Sequence, residues 1–191
     1  MDNKKLKITV YAIAKNEEKF VDKWVENMSE ADNIVVLDTG STDNTIQMLK
    51  DKGVYVEQKI IKPWRFDVAR NESLKLIPQD TDVCVCTDLD EIFEKGWREK
   101  IEQNWKENTK KLKYTYVWSI LENGQDGVTF TYEKIHAPNA FKWIYPVHEV
   151  LQSTIKVKKD EIASCPNLIL RHYPDKNKSR AQYRDLIKLA L

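Results

Sequence analysis

The chain has no apolar run near the roughly 18 residues that a membrane-spanning helix needs. Its start, Met-Asp-Asn-Lys-Lys-Leu-Lys, leads straight into a strand-like segment without the apolar region of a secretory signal. Both absences point to a cytoplasmic protein, at most peripheral to the inner face of a membrane. An excess of one charge is missing too. Lys and Arg number 31 against 30 Asp and Glu, and the net charge of +1 gives no global case for binding nucleic acid or an anionic membrane. Cysteine is scarce, at 84, 86 and 165 only. An odd count with two members inside one apolar run builds no disulfide framework, and Cys-x-Cys without a second pair is thin support for zinc. Neither Gly-x-Gly-x-x-Gly nor Gly-Lys-Ser/Thr occurs, which removes the support for a dinucleotide fold or a P-loop. Internal repeats, low-complexity tracts and long linkers are absent as well. With 191 residues, the chain is one domain of ordinary size that can bury a sizeable core.

What is present reads as alternating strands and helices. Lys7 to Ala14 is apolar and β-branched, and Lys15-Asn-Glu-Glu18 breaks it. From Phe20 to Met28 the apolar residues have helical spacing, and Asn33 to Leu37 is a second buried strand. Asp38-Thr-Gly-Ser-Thr-Asp-Asn-Thr45 follows as a turn in which Ser41, Thr42 or Asp43 caps a helix over Ile46 to Lys52. Gly53 ends that helix, and a short strand starts at Val54. This β-α-β-α-β order predicts an α/β fold with an open, mostly parallel twisted sheet flanked by helices. Beyond a loop at 63–67, helices are expected over Val68 to Ile77 and Gly96 to Glu107, on either side of a strand at Val83 to Cys86. Tyr114 to Leu121 and Val128 to Tyr132 suit a hairpin, Val150 to Ile155 and Leu168 to His172 are strand-like, and 177–191 is an amphipathic helix.

The strand at Val83 runs into three carboxylates within four residues: Asp88, Asp90 and Glu91. In extended backbone, positions two apart share a side, so Asp88 and Asp90 could aim at one point. Carboxylates held that close repel unless a cation lies between them. A hard divalent ion such as Mg²⁺ or Mn²⁺ would answer that and leave room for phosphate oxygens. An acidic helix N-terminus is the plainer alternative. In open α/β sheets, ligands bind beyond the carboxyl ends of the strands. Asn16 and Glu17, Asp38, and Asp88 with Asp90 all fall there; each alone is explicable as a turn or cap, and their recurrence at one edge weighs against that reading.

Taken together, Lys15-Asn-Glu-Glu18, Asp38-Thr-Gly-Ser-Thr-Asp-Asn-Thr45, Asp67-Val-Ala-Arg-Asn71 and Asp88-Leu-Asp90 resemble the family 2 glycosyltransferases of the GT-A fold. Trp143-Ile-Tyr-Pro-Val-His-Glu149 is similar to a segment of the bacterial subgroup that includes lipooligosaccharide-core β-glucosyltransferases and peptide S-glycosyltransferases. The resemblance covers about residues 6–175, the expected catalytic domain. It implies an inverting transfer of a sugar from a nucleotide-diphosphate donor, UDP-linked, to a glycan, lipid-linked or protein acceptor. Asp38 would accept from the base, Ala12 and Glu17 would lie against the nucleoside, and Arg70 would face the diphosphate. Asp88 would lie near the ribose and metal shell. Asp90 would ligate Mn²⁺ or Mg²⁺, a Lewis acid for the departing nucleoside diphosphate. Glu149 would take the acceptor's proton, with an ion pair to a nearby lysine as the alternative.

His148 and His172 could reach the metal or diphosphate, or be satisfied buried imidazoles; His136 has no motif around it and is set aside. Two features depart from the pattern. Thr39 stands where relatives more often have a second acidic residue, and their usual Glu-Asp pair is not recognisable. Six aromatics, Trp64, Phe66, Trp118, Phe141, Trp143 and Tyr145, suit an acceptor cleft or the core. The apolar end of 176–191 is expected to pack on something further along or on a partner, and an oligomer would form there. A sugar nucleotidyltransferase is disfavoured because no Gly-rich basic loop follows strand one. A non-catalytic binding module has no reason to keep like charges together.

Overall fold

The computed structural model describes residues 5–175. The expected helix over 177–191 lies outside the described residues. The elements are β1 (Ile8–Ala14), α1 (Glu18–Met28), β2 (Asn33–Asp38), α2 (Thr45–Asp51), β3 (Tyr55–Gln58), α3 (Phe66–Leu74), β4 (Val83–Cys86), β5 (Glu91–Phe93), α4 (Trp97–Asn104), β6 (Lys111–Val117), β7 (Thr129–His136), β8 (Phe141–Ile144), β9 (Val150–Ser153) and β10 (Ile162–His172). Eight strands form one sheet in the order β3-β2-β1-β4-β7-β6-β10-β5, and β8 and β9 form a separate antiparallel ladder. Pairing is parallel through β3, β2, β1 and β4 and again between β6 and β10. It is antiparallel on both sides of β7 and between β10 and β5. The expected α/β sheet of mostly parallel strands is present.

Strands β1 and β4 are apolar apart from Thr9 because both faces are covered. Ile8, Val10, Ala12 and Ala14 of β1 and Val83 and Val85 of β4 enter a core with Trp24, Leu49, Trp97 and Ile101. The alternate residues Tyr11, Cys84 and Cys86 face a second core with Phe141, Trp143 and Leu151. The period of two therefore sends these alternate side chains to opposite cores. The cysteines are free, and burial pushes Cys84 up to about 12 and Cys86 to about 11. Both thiols are inert packing.

His136, which no motif marks, is in the second core. Its Nε2 accepts from Tyr11 Oη at 2.9 Å, Trp143 Nε1 donates to the same hydroxyl at 3.0 Å, and His136 Nδ1 donates to the Ala137 carbonyl at 2.9 Å. Burial lowers its pKa to about 4. Because that value lies below the unfolded one of about 6.5, folding favours the neutral ring. Its contribution is full above about pH 6.5 and is lost as pH falls toward 4, by about 3 kcal/mol in all. Urea unfolding from pH 7 to 4 is expected to show this slope in the wild type and a visibly flatter one in His136→Gln.

Several segments differ from the expected elements: β8 is a strand where the sequence marks only aromatics, and α3 starts at Phe66, inside the expected loop. Glu91–Phe93 is a strand rather than the start of a helix, because it finds a partner across the sheet in Leu170–His172. The last strand is longer than its apolar end suggested, starting at Ile162 and running through an irregularity between Cys165 and Ile169. No helix among the described residues is long and apolar enough to cross a membrane.

Candidate active site

The carboxyl ends of β1, β2, β4, β6 and β10 share one edge, and the antiparallel β5 and β7 begin there. This is where the recurrent polar groups meet. The first two loops are stitched together. Asn16 N–H donates to Ser41 Oγ, Thr42 N–H to Asn16 Oδ1 and Glu17 N–H to Thr45 Oγ1, each at 2.8 Å. Asn16 takes a left-handed backbone (φ 55°), which asparagine tolerates. Gly40 is required: its φ is +114°, and a Cβ there would sit 2.7 Å from Ile60 Cδ1.

Asp38 builds this loop. Its Oδ1 accepts from Gly40 N–H, Ser41 N–H and Gln58 Nε2, each at 2.9 Å, and its Oδ2 accepts from the Ser41 hydroxyl. The residue has no exposed surface. Without a ligand the carboxylate is engaged by the turn, and the expected contact with a nucleobase would have to displace the Ser41 hydroxyl. The register of β1 turns the Ala12 methyl into the main core, fully buried. Glu17 stays at the edge, half-buried at the start of α1.

The centre of the site is Arg70. Spacing in α3 puts Asp67, Arg70 and Asn71 on one face. Asn71 exchanges two hydrogen bonds with the Trp143 backbone, at 2.8 and 2.9 Å, tying α3 to β8. Arg70 is 3% exposed and lies 5.2 Å over the Trp143 ring. Its Nε donates to Glu149 Oε1 at 2.7 Å and its Nη2 to Asp88 Oδ1 at 2.8 Å. Residues 70, 88 and 149, far apart in sequence, are thus joined by one guanidinium. The expected alternative for Glu149, a lysine partner, is replaced by this arginine pair. Beyond Asp88 lies a second buried cation. Lys134 Nζ is 3.6 Å from Asp88 Oδ2 and 3.2 Å from Glu91 Oε1. Burial would raise the Asp88 carboxyl, but Arg70 and Lys134 hold it well below the usual carboxylate range. Glu91 goes the other way, pushed up by burial against the pull of Lys134.

Truncating Arg70 would leave the half-buried Glu149 without its cation and Asp88 with Lys134 alone. Arg70→Met is expected to cost about 1.5–3 kcal/mol, as for a lost hydrogen bond to a charged group, and so to lower the melting temperature by roughly 5–10 °C. The loss should shrink as pH falls into the carboxylate range, because protonation removes the stranded charge; melting curves at neutral and acid pH check both parts.

Asp88 and Asp90 do not share a side of an extended strand. The chain turns there, with Glu91 N–H donating to the Asp88 carbonyl at 3.0 Å. Asp88 points to Arg70, and Asp90 points to His172, whose Nε2 is 3.3 Å from Asp90 Oδ2. His172 packs 5.1 Å from the Trp118 ring. Burial disfavours its charged form, but the Asp90 carboxylate outweighs this and the pKa is raised.

The four expected metal-contacting residues are therefore divided. Asp90 and His172 meet, Asp88 is engaged by two protein cations, and His148 is exposed on the β8–β9 connection with φ 53°. Among the described residues no three His, Cys, Asp or Glu side chains form a ready-made metal cage. Asp90 with His172 suits an ion that keeps most of its shell as water and phosphate oxygen, the habit of Mg²⁺ and its analogue Mn²⁺. The aromatics divide too: Phe141 and Trp143 are core, Trp64 and Phe66 are half-buried, and Trp118 and Tyr145 are exposed. Two cavities, about 480 and 130 Å³, lie away from this edge, one around Asn33, Val54 and Pro78 and the other around Gln79, His136 and Asn139. The residue at this edge that sequence reasoning missed is Lys134. Its one signal was parity with Tyr132 and His136 on β7.

An α/β sheet whose carboxyl edge gathers Asp-x-Asp, a buried arginine and a third acid is the architecture of the GT-A glycosyltransferases. Residues 9–174 match glycosyl transferase family 2, and the chain belongs to that family. It is 30% identical over 102 residues to the lipopolysaccharide core biosynthesis glycosyltransferase LpsC of Rhizobium meliloti (strain 1021). That match takes in 52% of this chain but only 37% of the relative's length. The fold is shared with residues 1–349 of S. aureus TarS, at a TM-score of 0.57 and 14% identity over 97% of this chain and 64% of the other. A glucosyl-3-phosphoglycerate synthase from Mycobacterium tuberculosis, solved with Mn²⁺ and UDP, overlaps 58% of this chain and 44% of its own, with 23% identity and a TM-score of 0.46. So partial an overlap supports no inference.

Proposed function

We propose that this site transfers a sugar, with inversion, from a nucleotide-diphosphate donor, UDP-linked, to a glycan, lipid-linked or protein acceptor. The observation that carries the reading is the convergence of Asp88, Asp90, Arg70, Glu149 and His172 on the ligand-binding edge of a family 2 fold. Arg70 meets the donor's diphosphate, and its fixed charge offsets the negative charge that grows there as the sugar leaves. Asp90, oriented by His172, holds the divalent ion, which when bound supplies Lewis-acid stabilisation of the departing diphosphate. Asp88 anchors Arg70 and faces the ribose. Glu149 takes the acceptor's proton: Arg70 holds its Oε1, and its Oε2 has no hydrogen-bond partner among the described residues. Trp118 and Tyr145, 46% and 57% exposed, offer ring faces to the apolar side of a sugar acceptor.

One observation favours a second reading, a binding module of this fold without turnover: Asp38 is sealed inside its own loop. Thermal-shift screening of UDP, other nucleoside diphosphates and their sugars, with Mn²⁺ or Mg²⁺, tests the first reading. A ligand that binds only the folded state at a hundred times its Kd adds about 2.7 kcal/mol, and UDP or a UDP-sugar with metal is expected to give the largest rise. No shift with any nucleotide would refute it. Slow metal-dependent hydrolysis of UDP-glucose separates enzyme from module.

A further inference from the structure

The reaction outlined above leaves one buried charged pair without a task. Lys134, two residues before the end of β7, is 4% exposed, and Glu91, at the start of β5, is 1% exposed. A buried lysine–glutamate pair is a weak stabiliser, since apolar residues of similar volume often serve as well or better. This pair, however, has a third partner at the active-site edge.

We propose that Lys134 and Glu91 are positioning residues that set the direction of Asp88 and of the Asp-x-Asp turn; the inference rests on the reading of that turn as a donor site. Glu91 uses both carboxylate oxygens. Oε1 accepts from Tyr116 Oη at 2.8 Å and faces Lys134, while Oε2 accepts from the Asp88 N–H at 2.9 Å. The Glu91 N–H in turn donates to the Asp88 carbonyl at 3.0 Å, so the turn is closed reciprocally from both ends. Lys134 then reaches Asp88 Oδ2 at 3.6 Å, opposite Arg70. The Tyr132 ring, 4.8 Å from the ammonium, and the Tyr116 ring, at 5.9 Å, shield it from water, where its field acts more strongly than at the surface. With Asp88 held between two protein cations, the turn aims Asp90 at His172 and the open edge. Neither Lys134 nor Glu91 touches donor or acceptor; both act through Asp88.

The test is a double-mutant cycle on UDP affinity with Mn²⁺, read by calorimetry beside the melting temperature. Lys134→Met and Glu91→Gln singly each strand a charge and are expected to lower both. Lys134→Met/Glu91→Gln together remove the stranded charge. If the pair is only structural, the double variant regains both properties, which would overturn the proposal. If the pair positions Asp88, stability returns to within a few degrees while UDP affinity stays at least tenfold down. Tyr116→Phe keeps every charge and loosens Glu91 alone. It is expected to lower the melting temperature by roughly 3–10 °C, as one lost hydrogen bond to a charged group does, and to weaken UDP binding threefold to tenfold; an unchanged affinity there would also contradict the proposal. Failure of the wild type to bind UDP with Mn²⁺ would instead remove the donor-site reading, and the positioning role with it.

Discussion

Glu149→Gln is expected to reduce sugar transfer by about a thousandfold, the middle of the range for losing a general base, without weakening the donor complex. The substituted amide keeps the shape of the side chain and can still accept from Arg70 through its oxygen, so the fold should hold. It cannot take a proton at neutral pH. The affinity for UDP should be equal to the wild type or a few times tighter. Arg70 now divides its charge between Asp88 and Glu149, at 2.8 and 2.7 Å, and neutralising one of them frees it for a diphosphate. Steady-state transfer and UDP titration of the same preparation check the two halves. Transfer that survives intact would show that another group is the base.

The second large effect is at Asp90. Asp90→Ala should lower UDP affinity in the presence of Mn²⁺ by at least a hundredfold while changing stability little. Asp90 is half-exposed, and its side chain pairs only with His172 among the described residues, at 3.3 Å. Metal sites with one or two protein ligands depend heavily on each. His172→Gln, which removes the imidazole that orients Asp90, should give a smaller loss of the same kind, since partners that orient a ligand typically matter tenfold to a hundredfold.

Much of this architecture was legible in the chain because local pattern and global fold agree. The run Val83 to Cys86 reads as a strand covered on both faces, and it is one. Asp67, Arg70 and Asn71 have helical spacing, and α3 presents them together. The failures arose where a distant partner overrides the local rule. Asp88 and Asp90 looked like alternate positions of one strand. Glu91 instead pairs with β10 at His172 and bends the chain between them. Asp38 reads as a ligand group at a strand end, and no local pattern showed that the Gly40–Ser41 amides also bond to it. Lys134 was illegible because Thr-Tyr-Glu-Lys reads as a solvated strand. Its burial follows only from the pairing of β7 with both β4 and β6. The exposed position of His148 on the β8–β9 connection was likewise not legible from local pattern.

The most direct test is a calorimetric titration of UDP into the wild type and into Asp90→Ala, each with Mn²⁺ and again with a chelator. Saturable binding by the wild type that disappears on chelation is expected, and none by the variant in either condition. Equal affinity in all four titrations would contradict a metal-held donor, because the acidic turn would then play no part in binding it.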